Sequence, residues 1–287
     1  MWALNTGAPK HSGPLSKYDP VSNDRTPLSK GLPGTDIADF PEYVLKPTPP
    51  SDVSALAAPT YQLPPMTSKI FYFSPEHLAE LKVTAAAFST NDALCGFFWH
   101  HMTRSRNPPS TADSISDPKT SGVLFAVNIR NYTSPPLPQS YLGNASLGGI
   151  TQRLSVPSLT TPSTGLIQAA ASLRTAFNAV HTPSRVPLTI GLLSSRPNPQ
   201  DFKFAAHAFL GPDITMTSWA GLRVREHEWG VLGKPEGFRV PYEGVDGYAV
   251  VFPRLADGGL EVMAGLESEA MERMLGCEDF VKFAKVL

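Results

Sequence analysis

Residues 207–241 read HAFLGPDITMTSWAGLRVREHEWGVLGKPEGFRVP, and the fold is decided by how this stretch is read. ITMTSW (214–219) reads as a strand ending in Thr217-Ser218-Trp219. A short polar link follows, then Glu228-Trp229-Gly230 and Leu232-Gly233-Lys234-Pro235-Glu236. Downstream, GYAVVFP (247–253) and GLEVMAG (259–265) read as two more strands. The turn between them carries Asp257-Gly258-Gly259, a hairpin signal.

Upstream, GVLFAVNIR (122–130) is a buried strand closing on a charge, and KIFYF (69–73) is a short aromatic strand. Ser74 caps a helix with Pro75 at its first position and Glu76 in its first turn. Ser89 and Asp92 make an S-x-x-D start for a second helix. On it, Leu94, Phe97, Phe98, His101 and Met102 fall on one face. Arg104 and Arg106 stand in its last turn, where the dipole favours cations, and Pro108 and Pro109 end it. Residues 163–180 read as a helix capped by Ser163 or Thr164, while VPLTIGLL (186–193) fits a strand or a helix. From Glu267 the chain reads as one or two short helices, interrupted near Gly276. Strands and helices interspersed in this way predict α/β or α+β layering.

Residues 1–66 differ in kind. They hold 12 of the chain's 29 prolines, and proline fixes φ and removes a donor. KPTPPSDVSALAAPTYQLPP (46–65) reads as an extended connection, either disordered or a crossover between lobes. The predicted division is therefore 1–66 and 67–287.

Composition excludes several function classes. Lys+Arg is 24 against Asp+Glu 25, so no basic stripe favours nucleic acid. The apolar runs stop short of the roughly 20 residues of a membrane span, and MWALNTGAPK lacks the pattern of a signal peptide. Cys95 and Cys277 are the only cysteines, too few for a disulfide scaffold or a cysteine zinc knuckle. The default localisation is cytoplasmic. There is no phosphate-binding Gly-rich loop and no G-x-S-x-G elbow. No histidine pair has metal-ligand spacing: His100 and His101 point about 100° apart on a helix. The plain reading makes His101 a core residue, His100 partly exposed, and Cys95 a buried inert thiol.

Several ordered motifs carry a resemblance. The T-S-W, the acidic-aromatic-Gly of Glu228-Trp229-Gly230 and the Gly233-Lys234-Pro235 resemble the C-terminal signature of BAHD acyltransferases, especially the fungal branch related to trichothecene acetyltransferases. STNDALCGFFWHHMTRSR (89–106) resembles a family helix, and PPLPQSYLGNA (135–145) a family loop. The likeness covers about residues 67–287, and 1–66 more weakly. It implies a chloramphenicol acetyltransferase-like fold, here with a complete C-terminal lobe and a remnant of the N-terminal lobe. It also implies an acyl-CoA-dependent O- or N-acyltransferase of secondary metabolism. Acyl-CoA would be a co-substrate, with no permanently bound cofactor and no metal, and the acceptor a small alcohol or amine.

The resemblance also implies roles. Thr217 and Trp219 become candidates for the oxyanion wall and tunnel lining, against the alternatives of a plain strand residue and a core aromatic. Arg104, Arg106 and Lys234 become candidate partners of coenzyme A phosphates, each otherwise a solvated cation. Gly143 and Asn144 would shape a turn beside the tunnel. Glu228 stands where the family usually has Asp, and Arg130 is its implied structural partner, with Trp229 and Gly230 completing the motif. Asn128, where the family usually has Asp, leaves Glu228 as the expected counter-ion of Arg130.

The family's general base is the histidine of an H-x-x-x-D-G motif. The residue four places after each histidine here is Leu15, Leu81, Arg104, Ser105, Arg185, Gly211 or Val231, never aspartate. MWALNTGAPK resembles the helix after that motif, so the chain is expected to start too late to carry it. Two readings follow: an acyltransferase whose base lies elsewhere, or a non-catalytic remnant that binds coenzyme A or a partner. Either way an exposed lobe interface is expected to favour association.

Overall fold

The computed structural model describes residues 24–46, 62–108, 119–138, 141, 143–241 and 244–287. The expectations for MWALNTGAPK, for residues 47–61 of the proline-rich connection, for His11 and for Pro109 lie outside them. In chain order the elements are α1 (Thr26–Ser29), β1 (Tyr43–Leu45), β2 (Met66–Phe73), α2 (Pro75–Thr84), α3 (Thr90–Arg106), β3 (Thr120–Ser121) and β4 (Val123–Asn128). Then come β5 (Ser146–Ile150), β6 (Leu154–Ser155), α4 (Val156–Thr160), α5 (Gly165–Val180), α6 (Arg185–Ser194), β7 (Phe202–Phe204) and β8 (Ile214–Ser218). The chain closes with β9 (Tyr248–Val251), β10 (Leu260–Glu267), α7 (Ser268–Leu275), α8 (Glu278–Val281) and β11 (Lys285–Val286).

A seven-stranded mixed sheet in the order β11-β2-β10-β9-β8-β4-β5 organises these elements. β8 lies at its heart, parallel to β4 with Phe125 opposite Met216, and parallel to β9 with Thr217 opposite Val250. β9 and β10 form the expected hairpin, Val251 opposite Val262, around Gly258 at φ +87°. Such a positive φ is readily adopted only by glycine. Parallel neighbours need a long crossover. Between β4 and β8 that crossover is helical. Between β8 and β9 it is the segment 219–247, whose described residues hold two single-turn 3-10 pieces, Val224–Glu226 and Gly230–Leu232.

The caps read from the sequence position the helices. Ser89 Oγ accepts from Asp92 N (3.2 Å) and Asp92 Oδ2 from Ser89 N (3.1 Å), a complete capping box. Asp92 also accepts from Arg174 Nε of α5 (2.9 Å), so the cap of α3 is tied to the next helix. α3 and α5 pack so closely that a Cβ on Gly96 would lie 2.9 Å from Ala170 N. One sheet face carries the main core. Phe71, Phe73, Phe97, Phe98 and Phe280 meet there in tilted, stacked and edge-to-face pairs, and Trp99 Nε1 donates to Ser121 Oγ (2.8 Å). The other face carries a smaller cluster of Val250, Phe252 and Met263 with Trp219, Phe238 and Val240 against it.

Three expectations change. VPLTIGLL is helical, within Arg185–Ser194: Pro187 falls in the first turn, where its missing N–H costs nothing. His100 is 3% exposed, not partly exposed, because the backbone of α4 covers it and the Leu159 carbonyl lies 2.7 Å from its Nδ1. Residues before 66 are not all set apart from the rest. β1 pairs antiparallel with β7, Phe40 and Tyr43 pack with Leu192 and Phe202, and Arg185 forks onto Glu42 at 2.7 Å to each oxygen. Among the described residues no helix is long and apolar enough to cross a membrane, and no group of three or more His, Cys, Asp or Glu could hold a metal ion.

Candidate functional site

In a sheet with parallel strands, ligands gather beyond the carboxyl ends of those strands. At that edge here stand the end of β8, with Trp219, and the turn after β4, with Arg130. Along β8, Ile214 and Met216 are buried in the helix-side core, so alternation turns Thr215 and Thr217 to the opposite face. Thr217 is half-buried there beside Val250, on the face that carries the smaller cluster. Trp219 continues the ladder by donating its N–H to Val251 O (2.8 Å). Its ring stands edge-on to Phe238 (5.8 Å between centroids, 80°) and stacks towards Phe252 (6.4 Å, 22°).

The 219–247 crossover folds back over this face. Trp229 N donates to Gly233 O (2.8 Å), and Gly230 and Gly233 take φ of +63° and +69° in the tight turn between. Arg239 fixes the return by a fork onto Glu261 of β10 (2.5 and 3.0 Å). Within the crossover itself lies a mostly apolar pocket of about 340 Å³, lined by Val224, Leu232, Pro235 and Phe238 together with Arg225 and Trp229. Arg225 Nε and Trp229 Nε1 are shut off from water and have no hydrogen-bond partner among the described residues.

At the neighbouring strand end, Arg130 donates to the carbonyls of Tyr141 and Gly143 (each 3.1 Å) and to Asn128 Oδ1 (3.1 Å). It therefore staples the expected YLGNA turn. A Cβ on Gly143 would meet Tyr141 Oη at 2.2 Å, which is why a glycine stands there. Asn144 Oδ1 accepts from Ser146 Oγ (2.9 Å). The expected Arg130–Glu228 pair does not form. The guanidinium is satisfied by backbone carbonyls and by Asn128, and Glu228 is exposed.

The proposed phosphate cations scatter. Lys234 is exposed on the crossover. Arg104 is 41% exposed and 3.7 Å from Asp279. Arg106 is not free for a phosphate. It is 12% exposed and bonds Asp246 (2.6 Å), Asp213 O (2.9 Å) and Ala208 O (3.1 Å). Asp213 immediately precedes β8, so Arg106 sits at the end of that strand opposite Trp219. The network there was not foreseen. Asp213 accepts from Gly122 N (2.9 Å), His207 N (2.8 Å) and Arg153 (2.7 Å), and Asp246 from Leu210 N and Glu267 N (both 3.0 Å). Nothing in the sequence near Asp246 signals this.

The histidines take structural partners. His77 Nδ1 lies 3.2 Å from Phe283 O, His181 Nδ1 2.8 Å from Phe177 O, and His101 Nδ1 3.8 Å from Cys277 Sγ. Burial, followed by the neighbouring His100 and Arg104 charges, holds His101 well below the usual imidazole range; burial also lowers His100. Burial pushes the Cys95 thiol up to about 12, as expected of an inert cysteine.

Comparison with known proteins gives three findings. A family model described as Transferase family matches residues 34–276. The chain is similar to eremophilane O-acetyltransferase ORF8 of Penicillium roqueforti (strain FM164), 33% identical over 227 residues, covering 77% of this chain and 47% of that protein. It is also similar to trichothecene 3-O-acetyltransferase TRI101 of Fusarium sporotrichioides, 27% identical over 250 residues, covering 81% of this chain and 52% of the relative. The crystal structure of F. sporotrichioides TRI101 complexed with coenzyme A and T-2 superposes with a TM-score of 0.68 at 25% identity, over 79% of this chain and 52% of that one. Apo F. graminearum TRI101 shows the same fold, with a TM-score of 0.74 over 94% of this chain and 59% of that one. The chain thus spans about half the length of these curated relatives.

Proposed function

The chain belongs to the Transferase family of BAHD acyltransferases, and from that premise we propose that it forms the carbonyl-facing part of an acyl-CoA-dependent O- or N-acyltransferase of secondary metabolism. In this reading residues 67–287 are the C-terminal lobe and 1–66 a remnant of the other lobe with its connection. The acceptor hydroxyl or amine attacks the thioester carbonyl, the carbon–sulfur bond breaks, and coenzyme A leaves as its thiol. Thr217 and Trp219 at the carboxyl end of β8 wall the reacting carbonyl, and the Arg130-stapled turn of Gly143 and Asn144 borders the same edge. The support is positional: Thr217 is half-buried on the sheet face against which Trp219 packs.

The proton acceptor is the part not encoded here, since no histidine in the sequence is followed by aspartate four residues on. General-base catalysis is worth about 10²–10⁴ in rate. The 287-residue chain should therefore bind coenzyme A yet consume acetyl-CoA no faster than background in single-turnover assays with alcohols and amines. Turnover at ordinary rates would place a base within the chain and overturn this division of labour. Absence of coenzyme A binding would overturn the acyl-CoA-dependent reading. The non-catalytic remnant is the second reading, and the missing aspartate favours it for the chain acting alone. In any assembly that does turn over, Thr217→Ala should lower kcat with little change in KM if Thr217 donates to the oxyanion. The loss expected is about 10²–10³-fold.

A further inference from the structure

We propose that Arg239 is a positioning residue of the reaction wall: through its fork onto Glu261 it seats Phe238 against the Trp219 ring and so sets where that ring stands. The backbone of Trp219 is held by bonds along the chain, its N–H on Val251 O and its carbonyl accepting from Leu222 N (both 2.8 Å). Its side chain is seated by ring packing. Phe252, which follows β9 and is 1% exposed, stacks towards it at 6.4 Å. Phe238 stands edge-on to it at 5.8 Å and meets Phe252 at 5.8 Å and 62°. Such ring contacts hold their geometry only while each ring is itself fixed.

Phe252 is fixed by the sheet, whereas Phe238 belongs to the irregular crossover. Ahead of Phe238 the crossover's bonds stay local: Arg223 pairs with Glu226, and Trp229 N and Gly233 N donate to Gly233 O and Gly230 O (2.8 and 3.1 Å). The Arg130–Glu228 pair that could have tied the crossover to β4 does not form. Arg239 supplies the tie. Its Nη1 donates to Phe238 O (2.7 Å), and Nη1 and Nη2 fork onto Glu261 (2.5 and 3.0 Å). One guanidinium thus joins the Phe238 backbone to β10. The Glu261 side chain is 9% exposed, and its backbone carbonyl accepts from Phe252 N (2.8 Å), so the fork lands beside the fixed ring of the cluster. A planar two-bond fork sets direction as well as distance, which a single ammonium does not.

The role in the reaction rests on the acyltransferase reading, in which Trp219 walls the reacting carbonyl; Arg239 acts through Phe238 and touches no reactant. Trp219 is half-buried, so part of its ring stays open to a ligand. A misplacement of about 1 Å can cost about 10²-fold in rate. In any assembly that turns over, Arg239→Gln should therefore lower kcat by up to about 10²-fold with little change in KM. The position of the ring is readable without turnover, so failure of the fork is distinct from failure of acyl transfer.

The test follows the Trp219 indole N–H signal of the ¹⁵N-labelled 287-residue chain, identified by Trp219→Phe. The ring currents of Phe238 and Phe252 make its shift a measure of where the ring stands. Arg239→Gln and Glu261→Gln should each move or broaden this signal, and the double variant should go no further, because both remove the same fork. Phe238→Leu should move it as well, and Arg239→Gln on that background should add little. Arg239→Lys, which keeps the charge, should bring the signal part of the way back. Trp99, bonded to Ser121 in the core of the other face, should stay still throughout. An unmoved Trp219 signal in Arg239→Gln, or shifts that add in the double variant, overturns the proposal. Displacement of Trp99 along with Trp219 would make the fork a support of the whole fold and would overturn it too. Titration with coenzyme A tests the underlying reading by itself: if the parent chain does not bind it, that reading falls, while the variants still decide whether the fork seats Trp219.

Discussion

His100 and His101 occupy consecutive positions on α3, and burial disfavours the charged form of both. Their folded pKa values lie below the unfolded value of about 6.5, so the unfolded chain binds the extra protons. The stabilisation is complete above about pH 6.5 and is lost as the pH falls below it, at up to about 1.4 kcal/mol per pH unit for each imidazole. Urea midpoints at pH 7.5 and 5.5 should show this fall, and His101→Phe, set between Phe97 and Phe280, should flatten it. An unchanged pH slope in that variant would remove His101 from the account. At Gly143 the constraint is steric, and Gly143→Ala, forced onto Tyr141, should cost about 1–3 kcal/mol in chemical denaturation. Residue roles were legible where chemistry is local. Cys95 reads as a buried thiol from its helical neighbours, and Gly143 as a close approach. Arg106 and Glu228 were misread because both depend on what lies across the fold. Asp246, 140 residues away, claims the first, and backbone carbonyls replace the second at Arg130.

Among the elements, α3 was the easiest to see, since its start is written in a reciprocal side-chain pair four residues long. Ser89→Ala removes a cap and should cost about 1 kcal/mol. Asp92→Ala should cost about 3–5 kcal/mol, because it also strands the Arg174 cation against α5, where Asp92 is 1% exposed. Arg174 Nη2 also donates to Ser89 Oγ (3.0 Å), so equal losses in the two variants would mean that the Asp92 carboxylate adds nothing to the tie. The five strands read from short apolar and β-branched runs, β2, β4, β8, β9 and β10, form the centre of the sheet, and β2 proved longer, starting at Met66 where it pairs with Glu267; the edge strands β5 and β11 were not read, because SLGGI and KV carry too little pattern. α6 was ambiguous because its pattern fits either period, and packing decides it: Val186 and Ile190 join the main core, while Leu192 packs with Phe40, Tyr43 and Phe202. The β1–β7 pair could not be anticipated at all. Three residues of weak pattern find partners 159 residues later through a ladder that sequence periodicity does not encode.

At the scale of the molecule, the sheet is covered unequally. The helix side buries the main aromatic core, whereas the opposite side is roofed by one irregular crossover whose tip carries Val231, 98% exposed, and Leu232, 74% exposed. Leu222 on the same crossover is 51% exposed. Single exposed apolar residues are ordinary, but grouped ones mark contact surfaces. The chain should therefore associate through this side rather than through its helices. Sedimentation velocity should show the weight-average mass rising with concentration. Val231→Asp with Leu232→Asp should return the chain to a monomer while leaving its unfolding free energy within about 0.5 kcal/mol of the parent, as exposed substitutions do. Val83→Asp, on the 80%-exposed outer face of α2, should leave association untouched. If α2 rather than the crossover governs the mass, the contact surface lies on the helical side, and the open face of the sheet needs no partner to cover it.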